Sequence, residues 1–258
     1  MPELPEVETV VRTLRPRLLG RTVLAATGGP KLIVEPAIGH TIRDVTRHGK
    51  YIVLHFDAGL LLVHLRMTGK LLFDGTRTPY TRAEFVLDEG LLLYDDIRRF
   101  GRITWSLNLP EQGPDPLEAA FKDFAALFQD RRARLKTLLL DQQFLRGLGN
   151  IYVDEALFRA RLHPLSVGAE LSRPRLERLY GAIREVLEEA IALGGSSISD
   201  YVDGNGERGS FQNFHRVYRR TGEPCVVCGK PIERIVVTQR GTHFCPRCQR
   251  ATPLARLG

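Results

Sequence analysis

The chain has 258 residues, 43% of them hydrophobic and 26% charged, the composition of an ordinary globular protein long enough for two modest cores. No apolar run approaches the ~20 residues needed to span a bilayer, and Glu3, Glu6 and Glu8 interrupt the stretch where a secretory signal would lie, so the expected location is the cytoplasm with no membrane partner. The formal net charge is +7, and all of the excess sits in residues 207–258, where ten Lys or Arg face three Asp or Glu. Such clustering is an electrostatic footprint for a polyanion such as nucleic acid, although a basic tail that only aids solubility leaves the same mark.

In chain order, Val7, Val10, Val11, Leu14 and Leu18 recur at helical spacing, with Arg12, Arg15 and Arg17 between them. This predicts an amphipathic helix just after the N-terminus. From residue 51 the pattern shortens to strands. Tyr51–Phe56 and Leu60–Leu65 flank Asp57-Ala58-Gly59, while Glu84–Leu87 and Leu91–Tyr94 flank Asp88-Glu89-Gly90. Both pairs read as hairpins whose glycine takes a positive φ. The first half is therefore expected to be an antiparallel domain of two packed sheets.

Asn108–Pro116 carries three prolines and a glycine and is the expected linker. Helical patterns follow at Leu117, Ala120, Phe121, Phe124 and Phe128, and again at Leu176, Leu179, Ile183, Leu187 and Ala190. Between them Gly147-Leu148-Gly149-Asn150 breaks the pattern before Ile151–Arg159. That is a helix–turn–helix-like arrangement whose open helix N-terminus suits a phosphate. Gly194–Ser210, rich in Gly, Ser and Asp, reads as a mobile loop.

The four cysteines form two knuckles, Cys225-x2-Cys228 and Cys245-x2-Cys248, separated by sixteen residues. Four thiolates at this spacing match one structural tetrahedral zinc with no open coordination position. Two disulfides would use the same residues, but a cytosolic chain rarely keeps them. Between the knuckles, Ile235–Thr238 and Thr242–Phe244 around Arg240-Gly241 read as a β-hairpin. Composition and spacing end there, at a zinc-containing nucleic-acid binder; a transcription factor or a ribosome-associated protein fits equally well.

The opening Met1-Pro2-Glu3-Leu4-Pro5-Glu6-Val7-Glu8-Thr9-Val10 closely resembles that of the formamidopyrimidine-DNA glycosylases. His64-Leu65-Arg66-Met67-Thr68-Gly69, Arg98-Arg99-Phe100-Gly101, Gly149-Asn150-Ile151-Tyr152 and Gln239-Arg240-Gly241-Thr242 follow in that family's order, so the resemblance extends from residue 1 to residue 248. It implies an α+β fold of two domains. An N-terminal β-sandwich with a flanking helix would occupy residues 1–110, with a linker at 111–116. A helical domain with a helix–two-turn–helix and a lesion-capping loop would span 117–220, followed by a zinc-finger β-hairpin at 221–250 and a tail at 251–258. The implied activity is excision of oxidised purines such as 8-oxoguanine and formamidopyrimidines from double-stranded DNA, with lyase activity at the abasic site, by a monomer.

The resemblance also implies roles for individual residues. Removal of Met1 would leave Pro2 as a secondary amine able to attack the sugar's anomeric carbon, as Schiff-base lysines do. An α-amino group has a pKa of ~8, so part of it is neutral near pH 7; a retained Met1 would block it. Glu3 would shuttle protons, with Glu6 supporting it. Lys50 would contact phosphate and assist β-elimination, and Arg240 would bind phosphate and assist δ-elimination. Met67, Arg98 and Phe100 would fill the gap left by the extruded nucleotide, Phe100 as a wedge and Arg98 on the orphaned cytosine. Asn150 and Arg131 would hold phosphates. Tyr80 stands about where the family often has a DNA-contacting histidine, and Ile97 where many members have proline; the first departure leaves that contact open.

Two other readings remain at this point. One is the sister endonuclease VIII-like class, which acts on oxidised pyrimidines; the Pro2–Glu6 opening, the Arg98/Phe100 pair and the long capping loop favour the purine enzymes. The other is a zinc-finger DNA binder without catalysis, which the combination of Pro2, Glu3, Lys50 and Arg240 argues against.

Overall fold

The structure, a computed structural model, describes residues 1–251. All but the first residue of the tail expected at 251–258 lies outside the described residues. The chain divides into two compact units, one of residues 1–110 and 190–212, the other of 111–189 and 213–258.

The first unit is a β-sandwich with a helix against it. Helix α1 runs over Leu4–Leu18. Eight strands follow: β1 Val23–Gly28, β2 Ile42–His48, β3 Tyr51–Phe56, β4 Leu60–His64, β5 Gly69–Phe73, β6 Thr81–Leu87, β7 Leu91–Asp96 and β8 Arg102–Ser106. They form two four-stranded antiparallel sheets, ordered β1-β6-β7-β5 and β2-β3-β4-β8. The apolar stripe of α1 is fully used: Val7, Val10, Leu14 and Leu18 are buried in one cluster with Ile52, Leu61, Phe85 and Leu92 from both sheets. Glu8 pins the helix to β2 by accepting from Arg47 Nε at 2.9 Å.

Both expected hairpins form, but their glycines differ. Gly90 takes φ +94°, whereas Gly59 stays out of the left-handed region. A Cβ at Gly59 would lie 2.7 Å from the Trp105 ring, so close approach is what requires glycine there.

In the second unit α2 covers only Phe121–Ala126, α3 Leu135–Leu140, α4 Asn150–Arg159, and α5 Arg173–Ala192, whose last turn falls in the first unit. The helix expected from Leu117 starts later because Asp115 folds residues 117–119 into a turn. Its Oδ1 accepts from Leu117 N–H and its carbonyl from Ala119 N–H. The proline-rich segment is no free tether: Gly113 donates to the Gln142 carbonyl, and a Cβ there would strike the backbone of Gln143 and Phe144. The Gly-Leu-Gly turn before α4 is tied by Gln142, which bonds the Gly147 N–H and the Leu148 carbonyl.

The zinc hairpin is β9 Glu233–Val237 paired with β10 Arg240–Phe244. Its turn is Thr238-Gln239, at φ +50° and +59°, so Arg240 begins the return strand rather than forming the tip. The segment expected to be a loose loop packs with the first unit instead and is laced by hydrogen bonds. Ser197 Oγ donates to the Tyr201 carbonyl and accepts from Gly209 N–H, and Asp203 Oδ1 accepts from Asn205 and Glu207 N–H. No helix among the described residues is long and apolar enough to cross a membrane.

Candidate active site

In the first unit the start of α1 is buried. Pro2 is buried, Glu3 is 4% exposed and Glu6 1%. Glu3 is the helix N-cap, and the two glutamates form a reciprocal capping box: the Glu3 side chain accepts from Glu6 N–H, and Glu6 Oε2 accepts from Glu3 N–H at 2.8 Å. The other Glu6 oxygen accepts from Ser196 N–H at 2.7 Å. Gly195, at φ +79°, is needed beside it, since a Cβ would lie 2.8 Å from Glu6 Oε1. The Tyr201 hydroxyl closes the group on the Glu6 carbonyl at 3.2 Å, and burial together with the Glu6 charge keeps that phenol protonated. Two buried carboxylates therefore sit on residues one and four positions after Pro2, each fixed by backbone N–H groups.

Lys50 follows Gly49 (φ +59°) at the turn between β2 and β3, and its side chain is mostly buried. Its charge is felt at His64 on β4. Burial pushes that imidazole down to about 3, with the Arg66 and Lys50 cations adding to the shift. Neutral His64 accepts from Arg66 N–H through Nδ1 and packs edge-on to Tyr51.

The expected DNA-contacting residues Met67, Tyr80 and Phe100, and Ile97 at the position where many members have proline, are exposed apolar side chains, a costly arrangement for a protein surface. Met67 is 42% exposed, Tyr80 45%, Ile97 48% and Phe100 51%. The Arg98 guanidinium lies over the Phe100 ring, 4.6 Å from its centre, in a cation–π contact. Met67 lies in the crossing from β4 to β5 and Phe100 in that from β7 to β8, each joining the two sheets, and both crossings meet at Asp96, a residue the sequence reading did not single out. Its carboxylate accepts from Thr68 Oγ1 at 2.5 Å and from Gly101 N–H at 2.8 Å.

In the second unit Asn150 is the first residue of α4, and its Nδ2 donates to the Gly241 carbonyl at 2.9 Å. Lys136, wholly buried with Asp154, reaches the same carbonyl. Asp154 also accepts from His243 N–H at 2.9 Å. The strand that begins at exposed Arg240 is thus anchored to α3 and α4 by buried polar bonds. Arg131 is exposed on a turn whose carbonyl accepts from Ala169 N–H.

Cys225, Cys228, Cys245 and Cys248 place their sulfurs within 4.8 Å of one another. Two Sγ pairs stand at 3.5 and 3.9 Å, too long for disulfides and close to the ~3.8 Å edge of a tetrahedron of Zn–S bonds of ~2.3 Å. Backbone N–H groups of Val227 and Cys248 point at the sulfurs of Cys225 and Cys245, as thiolate ligands require. The residues fit one structural zinc, and Phe158, Val217 and Ile232 pack around it.

Comparison with known proteins accounts for this arrangement along the chain. Residues 1–103 match the formamidopyrimidine-DNA glycosylase N-terminal domain, residues 112–202 that family's H2TH domain, and residues 222–251 a zinc finger found in FPG and IleRS. The formamidopyrimidine-DNA glycosylase of Solibacter usitatus is 51% identical over 264 residues, covering 97% of this chain and all of the relative. The crystal structure of the MutM (Fpg) protein of Thermus thermophilus superposes with a TM-score of 0.89 at 44% identity, over 98% of this chain and all of the other. The wild-type Lactococcus lactis Fpg, solved with DNA containing N7-benzyl-Fapy-dG, gives 0.88 at 36% identity, over 97% of this chain and all of that one. On this likeness over its full length, the chain belongs to the formamidopyrimidine-DNA glycosylase family.

Proposed function

We propose that the protein is a bifunctional DNA glycosylase and abasic-site lyase that removes oxidised purines from duplex DNA. It acts as a monomer in the cytoplasm. The observation that carries this reading is the buried Pro2–Glu6 segment, where two fixed carboxylates follow closely in the chain on what becomes a secondary amine once Met1 is removed.

The amine lone pair attacks the anomeric carbon of the damaged nucleotide. The glycosidic bond breaks, and the base leaves with that electron pair and gains a proton. Glu3 delivers a proton to the ring oxygen as the sugar opens, giving an iminium between Pro2 and the former anomeric carbon. Loss of the adjacent sugar proton expels the 3′ phosphate, with Lys50 holding phosphate, and a second elimination beside Arg240 expels the 5′ phosphate. Hydrolysis of the iminium frees Pro2.

Met67, Arg98 and Phe100 enter the duplex where the nucleotide has left, which offsets the few kcal/mol lost in unstacking. Asn150 at the N-terminus of α4, with Arg131 and Tyr80, positions the backbone. The zinc holds the hairpin that carries Arg240 and takes no part in bond making.

The test is borohydride trapping on a duplex with 8-oxoguanine opposite cytosine, using protein whose chain has been shown to begin at Pro2. A covalent adduct mapping to Pro2 is expected. No adduct there, with an adduct on a thymine glycol duplex, would transfer the protein to the pyrimidine-specific class; no adduct on either would leave a DNA-binding protein without this chemistry.

A further inference from the structure

The two strips proposed to fill the duplex, Met67 in the crossing from β4 to β5 and Arg98–Phe100 in the crossing from β7 to β8, are far apart in sequence and share no strand. Asp96, at the end of β7, touches both. It is 1% exposed, and all its polar atoms are used. Oδ1 accepts from Thr68 Oγ1 at 2.5 Å and from Arg98 N–H at 3.2 Å. Oδ2 accepts from Gly101 N–H at 2.8 Å and from the Tyr94 hydroxyl at 3.3 Å. Its backbone N–H donates to the Tyr80 carbonyl, and its carbonyl accepts from Arg82 Nε. One carboxylate thus grips the residue after Met67 and both ends of the Arg98–Phe100 turn.

The glycines that end the two motifs point the same way. A Cβ at Gly69 would lie 2.6 Å from the Tyr94 hydroxyl, and a Cβ at Gly101 would overlap that same hydroxyl. Both strips are therefore packed down onto one Tyr94–Asp96 centre. Each also holds an arginine in the left-handed region, Arg66 at φ +52° and Arg99 at φ +56°, a conformation that persists only where neighbours enforce it.

We propose that Asp96 is a positioning residue that locks the Met67 strip and the Arg98–Phe100 strip into a single void-filling unit, so that the two enter the duplex together. The proposal rests on the glycosylase reading. A carboxylate is needed because two of its four donors, the N–H groups of Arg98 and Gly101, cannot reverse roles. An amide in its place has one oxygen, so its NH2 must face either Gly101 N–H, which releases that end of the turn, or Arg98 N–H, which is then left with Thr68 Oγ1 alone at 3.2 Å.

The test is Asp96→Asn, with Thr68→Val as a gentler variant that removes the Thr68 hydroxyl's bonds to Asp96 and to Arg98 N–H and keeps the carboxylate should Asp96→Asn fold poorly. Single-turnover excision of 8-oxoguanine, which requires extrusion, should fall about tenfold more than cleavage at a preformed abasic site, where no base pair must be broken. In the wild type, Met67→Ala and Phe100→Ala should be non-additive in excision; in the Thr68→Val background their effects should add. A 2-aminopurine reporter beside the lesion should show slower extrusion in both variants. Equal losses on the two substrates, or coupling between Met67 and Phe100 that survives Thr68→Val, would mean that Asp96 merely supports the sheet and would overturn the proposal. A wild type that excises no oxidised purine would overturn the glycosylase reading first, and a wild type that excises while Asp96→Asn matches it would overturn the Asp96 proposal alone.

Discussion

Burial holds the His64 imidazole neutral on β4, and acid is the natural probe of that arrangement. Its folded-state value lies well below the ordinary 6.5, so the unfolded chain takes up a proton first as pH falls. The stability that neutral His64 contributes is complete above pH 6.5 and is lost progressively toward pH 3. Replacing His64 by Gln, which can still accept from Arg66 N–H, should remove about 3 kcal/mol of the stability lost between pH 7 and pH 4. Urea unfolding at the two pH values measures this, and equal losses in wild type and variant would show that carboxylates alone account for acid sensitivity. Single residues were unevenly legible in the sequence. The cysteines announce themselves because metal geometry fixes their spacing. Asp96 does not, because a carboxylate ending an apolar strand looks like an ordinary turn residue, and its partner Thr68 lies 28 positions away. Lys136 and Asp154 were missed for the same reason: alone, each reads as a solvated charge on a helix.

Elements were legible where one periodicity dominates. The α1 stripe and the paired runs of β3–β4 and β6–β7 carry their own pattern, and the structure follows it. The first helix of the second unit is shorter than its pattern because the Asp115 side chain takes Leu117 N–H and its carbonyl takes Glu118 and Ala119 N–H, closing a separate turn ahead of it. The turn of the zinc hairpin was misplaced because the obvious glycine, Gly241, is in a strand, while Thr238 and Gln239 take the positive φ values. A β-branched residue pays about 1 kcal/mol or more in that region. Changing Thr238-Gln239 to Asn-Gly, the sequence that suits two successive positive φ values, should therefore stabilise the hairpin by about 1 kcal/mol. The exposed bond between Thr238 and Thr137 hydroxyls that the change removes is a smaller loss. Thermal unfolding of the metal-loaded protein would register a higher Tm; a lower one would mean that the Thr137 contact outweighs the strain.

At the scale of the whole molecule the chain builds two cores by different means. The first unit buries the α1 stripe in one large cluster with apolar residues of both sheets. The cluster around the four cysteines is small, and the zinc supplies what its few apolar side chains do not. Chelation should accordingly release hydrogen-exchange protection across residues 215–249 and abolish duplex binding, while amides of β2, β3 and β4 keep theirs. Protection lost from both units together would show that the metal stabilises the entire chain. The net positive charge was readable from composition and lies in the same C-terminal fifth, so metal loss would also disorder the segment that holds the charge excess. What composition could not reveal is that residues 190–212 pack with the first unit, since the bonds that hold them come from Glu6 and Thr13, nearly two hundred positions earlier.

The Tyr94 hydroxyl has an evolutionary consequence. Because it fills the space that a side chain at Gly69 or Gly101 would occupy, these three positions are not free to drift one at a time. A lineage that replaces Tyr94 by Phe lifts one obstacle at both glycines, although the Leu65 backbone still closes Gly69 and the ring itself still crowds Gly101, and it leaves the Asp96 carboxylate one donor short. A lineage that keeps the tyrosine must keep both glycines. Substitution should therefore proceed here in sets, and two sequence motifs that lie thirty positions apart inherit a single history.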